Sequence, residues 1–142
     1  MASNKRWTTL FIIFVIISSA LSCGRETKSI EDRCDYDGVK FEPIYAVYFT
    51  LQDGTEIRFC SIVCASLSFP ELKSRIKEVI VVDERSGTKI NAFQALFVES
   101  KVVTVPHVKN RIHVFGNRED AIKHLDKFKG RWIENPLDLS IQ

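Results

Sequence analysis

The chain has 142 residues, 45% of them hydrophobic and 27% charged, with a formal net charge of +2. Lys5 and Arg6 supply that excess, because residues 1–22 contain no acid and the remaining basic residues balance the 18 acidic ones. Without a basic stripe there is no electrostatic footprint for nucleic acid, and the length from Cys23 onward fits one domain able to bury a core without disulfides.

Residues 1–22 read as a signal peptide of the lipoprotein type and stand outside the fold. Lys5 and Arg6 form the positive start. Leu10 to Ile17 is the apolar stretch, too short for a comfortable span of about 20 residues. Small residues then lead to Cys23, as in a bacterial lipobox. The alternatives are an uncut signal anchor and a cleaved signal without lipid. Lipidation at Cys23 predicts a cell-membrane protein, lipid-anchored and facing the periplasm or cell exterior. A diacyl chain makes a stable anchor, since each buried CH₂ adds about 0.8 kcal/mol. Residues 23–40 are then the lipidated cysteine and a polar tether, and residues 41–142 the folded domain.

Ile44 to Leu51 is rich in aromatic and β-branched residues and reads as a strand. Asp53-Gly54 is a hairpin signal, and Glu56 to Phe59 is the returning strand, with Ile57 and Phe59 on one face. Ser61 caps a short helix to about Phe69, where Pro70 discourages continuation. Val79 to Val82 is a continuous apolar run suited to a buried strand, and residues 84–88 form a turn. Lys89-Ile90 and Ala95 to Val98 are strand-like, and residues 106–110 are a loop. Arg111 to Phe115 is a strand, and Asn117 caps a helix to about Lys129 whose apolar positions Ala121, Ile122, Leu125 and Phe128 keep helical spacing. Gly130 ends that helix in the manner of a left-handed cap. Arg131 to Ile133 is a last strand. The expected fold is α+β, with two related strand–strand–helix–strand units in one small domain.

Three thiols remain after Cys23: Cys34, Cys60 and Cys64. Three cannot all pair within one chain. Cys60 and Cys64 flank the strand-to-helix junction, where a four-residue spacing leaves the Cβ atoms about 5–6 Å apart. That exceeds the roughly 3.8 Å of an unstrained disulfide but suits two sulfurs on one metal at about 2.3 Å each. Backbone amides at the helix start favour thiolate on Cys60. Cys34 joins from the loop before the first strand, and His107, after Pro106 in a polar loop, is the fourth candidate ligand. The alternatives are a Cys34–Cys60 disulfide with Cys64 in the core, or three inert thiols. Asp35 and Asp37 read as solvated turn acids, with support of the metal ligands as the alternative, Tyr36 as loop packing, and His113 and His124 as structural or surface histidines.

Three sulfurs suit Cu(I) or Zn(II). Copper(I) predicts capture and delivery of metal at a membrane, with a metal-receiving or metal-donating partner protein such as a metalloenzyme assembly complex. Zinc, held by Cys34, Cys60, Cys64 and His107, predicts a structural interaction module. A thiol enzyme, by disulfide exchange or organomercurial cleavage, is the third reading. It is weakened by Cys-x-x-x-Cys in place of Cys-x-x-Cys. The sequence holds no Ser/His/Asp order, Gly-rich phosphate loop or paired carboxylates in a context that supports another enzyme.

The residues Cys34, Asp53-Gly54, Phe59, Cys64, Val79 to Asp83, Ala92, Ala95, Pro106, Phe115, Ala121, Phe128, Gly130 and Trp132, in that order and spacing, resemble the NosL family. These are copper-binding lipoproteins that help load nitrous oxide reductase. The resemblance covers roughly Cys34 to Trp132 and implies a fold of two related strand–helix units, like that of organomercurial lyase. It implies Cys34 as a ligand. The family's early Cys-Gly-Met is Cys34-Asp35-Tyr36 here, and its later Pro-Met is Pro106-His107, so both thioethers are absent. Phe59-Cys60-Ser61 with Cys64 also resembles the TRASH or YHS metal motif.

Overall fold

The computed structural model describes residues 33–40, 42–106 and 110–137. Seven strands and two α-helices follow a short 3-10 turn at Pro43–Tyr45: β1 (Val47–Leu51), β2 (Glu56–Phe59), α1 (Ile62–Leu72), β3 (Ile76–Val82), β4 (Lys89–Asn91), β5 (Leu96–Ser100), β6 (Ile112–Phe115), α2 (Arg118–Phe128) and β7 (Gly130–Ile133). A second 3-10 turn, Lys73–Arg75, leads from α1 into β3. The fold is α+β, as expected. Among these residues no helix is long and apolar enough to cross a membrane.

The strands form two antiparallel sheets, one in the order β2-β1-β3-β4 and the other β6-β5-β7. In each, a central strand pairs with its hairpin partner on one side and with the strand that follows the helix on the other. The two strand–strand–helix–strand units thus share one topology, and β4 is an addition to the first.

The period-2 pattern of β1 explains its place at the centre. Val47, Phe49 and Leu51 are buried, alternating with half-buried Tyr48 and Thr50. The Phe49 ring meets Phe59 of β2 edge-on at 4.8 Å and Phe69 of α1 at 6.2 Å, so helix and hairpin close on one aromatic cluster. The main core also takes Val79 and Val81 from β3, Phe97 and Val114 from the second sheet, and Leu137. A smaller cluster of Val98, Phe115 and Ala121 seats α2 on the second sheet.

Three local expectations change. The first strand begins at Val47 rather than Ile44, because Pro43 opens a 3-10 turn whose Ala46 amide donates to the Pro43 carbonyl. Helix α1 runs through Pro70 to Leu72. In the final turn a proline removes a single backbone bond, and burial of Phe69 against Phe49 offsets that loss. Gly130 is not the left-handed cap of α2. Lys129 takes the positive φ of 58°, and Gly130 opens β7 opposite Ser100. A Cβ on Gly130 would lie 2.1 Å from the Glu99 carbonyl oxygen, so glycine is required there by the close approach of β5.

Candidate metal centre

The site lies where β2 turns into α1. Ser61 is the N-cap of α1, and its Oγ accepts a hydrogen bond from the Cys64 amide at 3.4 Å. This places Cys60 just before the cap and Cys64 in the first helical turn, with both sulfurs on one side. The Sγ atoms are 3.2 Å apart and unbonded.

Cys34 arrives from a tight turn spanning Arg33–Lys40. The Cys34 amide donates to the Val39 carbonyl (2.9 Å) and the Gly38 amide to the Cys34 carbonyl (2.8 Å). Asp35 clips the turn to the outer edge of β2: its amide donates to the Arg58 carbonyl at 2.8 Å, and its carboxylate accepts from the Arg58 amide at 2.6 Å. The result buries Cys34 in the core with Cys60 and Cys64.

The turn brings a fourth donor. Asp37 Oδ2 lies 3.9 Å from Cys60 Sγ and 3.5 Å from Cys64 Sγ. One donor atom from each of Cys34, Asp37, Cys60 and Cys64 falls within 4.8 Å of all the others. Two sulfurs on one metal at about 2.3 Å each can be no more than about 4.6 Å apart, so the cluster is close to the size that one ion would span. Asp37 is the exposed member of the set and the three thiols are buried, which puts the carboxylate at the mouth.

Burial pushes the Cys60 thiol up, reinforced by hydrogen bonding from Cys64 and Cys34. Burial likewise pushes Cys64 up to about 11, against the lowering effect of its Cys60 and Ser61 hydrogen bonds. Burial therefore opposes the thiolate form that the amides at the helix start would favour on Cys60. Burial alone would raise Asp37, but the Val39 amide and the Cys34 and Cys64 thiols hold it below the usual carboxylate range. The site is three buried sulfurs facing one carboxylate, and a cation is the group that would stabilise thiolates there.

Asp37 is an exposed turn acid, and its carboxylate also faces the thiols, which the sequence offered as the alternative. A sequence signal was present: a Cys three residues before an Asp-Gly pair is the spacing of a turn that doubles back on itself. Tyr36, read as packing, is half exposed. His107 and Cys23 lie outside the described residues. His113 is buried in β6 and is structural, with Glu84 as its partner.

No family model and no curated protein matches this sequence. A solved structure does match. The crystal structure of the copper chaperone NosL from Shewanella denitrificans superposes with a TM-score of 0.61 at 23% identity, covering 72% of this chain and 85% of that one. This chain has the NosL fold. The two-unit architecture implied by the NosL resemblance is present, and within that fold the thiol cluster occupies the β2–α1 corner of the first unit.

Proposed function

We propose that this protein is a membrane-anchored copper(I) carrier, not an enzyme, which captures the ion on Cys34, Cys60 and Cys64 and passes it to a metalloprotein partner. The observation that supports this reading most is the convergence of three buried thiols and one exposed carboxylate at a single corner of a NosL fold. Cu(I) is soft and is satisfied by two or three sulfurs. A two- or three-sulfur site can release its ion by stepwise ligand exchange, because an incoming thiol adds before a resident one leaves. The exposed Asp37 mouth gives that thiol a way in. Anchoring through Cys23 keeps the carrier at the membrane face where an exported metalloprotein is assembled.

Asp37 supports a second reading. A hard oxygen completes a four-donor set with three thiolates, and Zn(II) takes such tetrahedral sets. A zinc-loaded chain would be a structural interaction module that unfolds on chelation.

Native mass spectrometry of the full chain in detergent, offered equimolar Cu(I) and Zn(II), separates the two. The carrier reading expects one Cu(I), stripped by a competing thiol ligand with the fold intact. The zinc reading expects one Zn(II), with loss of fold on removal. A Cys60→Ser, Cys64→Ser variant that retains Cu(I) as tightly as the wild type would sink the carrier reading.

A further inference from the structure

The thiol centre has a counterpart in the second unit, built from different atoms. The turn after β3 repeats the Arg33–Lys40 turn bond for bond. The Asp83 amide donates to the Thr88 carbonyl at 2.9 Å and the Gly87 amide to the Asp83 carbonyl at 2.8 Å, matching the 2.9 and 2.8 Å bonds of Cys34 and Gly38. Gly87 has a φ of 73° and Gly38 one of 72°. The Val39 amide donates to Asp37 Oδ1 at 3.1 Å, and the Thr88 amide to Ser86 Oγ at 3.2 Å.

The clip to the sheet edge is repeated as well. The Glu84 amide donates to the Val114 carbonyl and the Glu84 carboxylate accepts from the Val114 amide, both at 3.0 Å. Asp35 does the same to Arg58 in the first unit. The strand-to-helix corners agree too. Phe59, Cys60, Ser61 and Cys64 stand where Phe115, Gly116, Asn117 and Asp120 stand, and Asn117 Oδ1 caps α2 by accepting from the Asp120 amide at 2.9 Å. Cys34, Asp37 and Cys60 therefore correspond to Asp83, Ser86 and Gly116.

The two units differ in how turn and corner are joined. In the second, the Asp83 side chain is buried and reaches the corner, where the Gly116 backbone hydrogen-bonds to its carboxylate. Within its own turn it accepts from Ser86 Oγ at 2.6 Å and from the Arg85 amide at 3.2 Å. Its Oδ2 lies 3.5 Å from where a Gly116 Cβ would be, so the carboxylate sits in van der Waals contact with the corner. In the first unit the same space holds three thiols and one carboxylate. Thiols are weak hydrogen-bond donors, and their contacts run from 3.2 to 3.9 Å.

We infer that the bound metal is the clasp of the Arg33–Lys40 turn, joining it to the β2–α1 corner as the Asp83 carboxylate joins the equivalent turn of the second unit. This rests on the thiol centre holding a metal. The consequence is that loading changes a surface. The turn carries half-exposed Tyr36 beside the Asp37 mouth. The empty protein holds this turn to the fold by the Asp35 clip, while the loaded protein holds it by clip and clasp together. A partner that touches Tyr36 can thereby distinguish a loaded from an empty carrier.

Amide hydrogen exchange on the full chain in detergent, with and without one equivalent of Cu(I), tests this, the metal retained being weighed in the same samples. Exchange at Cys34, Gly38 and Val39 should slow at least about tenfold on loading, while Asp83, Gly87 and Thr88 stay unchanged. A second arm transplants the other unit's clasp. The variant Cys34→Asp, Asp37→Ser, Cys60→Gly should show the slow exchange without metal and be indifferent to Cu(I). If the wild type retains Cu(I) and its turn exchanges at the same rate, the clasp is overturned and the carrier reading stands. If no metal is retained, the carrier reading falls and the clasp with it. A transplant that folds but exchanges like the empty wild type also overturns the clasp. Should the transplant fail to fold, the wild-type comparison decides.

Discussion

Asp37 is the residue on which the choice of metal turns. Its carboxylate faces the thiols at 3.5 and 3.9 Å, yet a hard oxygen adds little to Cu(I) and much to Zn(II). Asp37→Asn keeps the shape and removes the charge. It should leave Cu(I) affinity within about threefold and weaken Zn(II) by at least about tenfold, as read by competition with chelators. An equal loss for both ions would mean that the carboxylate acts through charge alone. The thiols make a separate expectation. Burial holds Cys60 and Cys64 in the protonated form at neutral pH, so metal uptake must expel both protons. The apparent affinity for Cu(I) should rise at least about 100-fold per pH unit between pH 6 and 8, and a pH-independent affinity would show that these thiols are not ligands.

At the scale of the element, two features set the positions of the site. Only Cys60 and the N-cap Ser61 separate β2 from α1, so Cys60 and Cys64 are delivered from just past a strand end and from a helix start rather than from one continuous helix. Their sulfurs lie 3.2 Å apart across that junction. The other feature is the close pairing of β7 with β5, which begins at Gly130 opposite Ser100. Gly130→Ala would place a methyl 2.1 Å from the Glu99 carbonyl oxygen, and backbone cannot yield as a flexible side chain can. The change should cost at least about 2 kcal/mol, measured as a lowered denaturant midpoint. An unaltered midpoint would mean that β7 does not pack in this register.

At the scale of the whole molecule, a buried ion pair joins the two sheets. His113 Nδ1 lies 2.8 Å from Glu84 Oε2, and Nε2 lies 3.2 Å from the Val103 carbonyl. A carboxylate and a carbonyl only accept, so the imidazolium form is the one that satisfies both contacts. Burial would lower its pKa, but the Glu84 hydrogen bond and charge outweigh that and raise it. His124 stacks against it with centroids 4.5 Å apart and has a buried Nε2 without a hydrogen-bond partner. Burial, then the His113 charge, lower its pKa to about 4.

The signs oppose. The raised group stabilises fully below about pH 6.5 and loses that contribution as pH rises through its folded pKa. The lowered group stabilises fully above about pH 6.5 and loses it as pH falls towards 4. Their joint contribution peaks near neutrality. Acidification from pH 6.5 to 4 should cost about 2 kcal/mol through His124, discounted for its partial exposure. The variant His124→Phe should remove most of that acid loss while leaving the alkaline side unchanged. If both proteins lose the same stability between pH 6.5 and 4, His124 is not the responsible group.

Period and punctuation in the sequence determined the elements. The alternation in Val47 to Leu51, the Asp53-Gly54 turn, the Ser61 and Asn117 caps and the apolar stripe of α2 are local signals, because backbone geometry and side-chain periodicity act over a few residues. They were enough to anticipate two units of one topology, and cysteine arithmetic alone pointed to a thiol centre. Local signals misjudged Pro70 and Gly130, where packing of Phe69 and the pairing of β7 with β5 override the preferences of the residues themselves. The contribution of Asp37, the charge state of Cys60, and the equivalence of Cys34 with Asp83 were decided only by tertiary structure. Each depends on groups that are distant in sequence and meet across a fold, and both desolvation and hydrogen bonding are set by what surrounds an atom in space, which no short stretch of chain encodes.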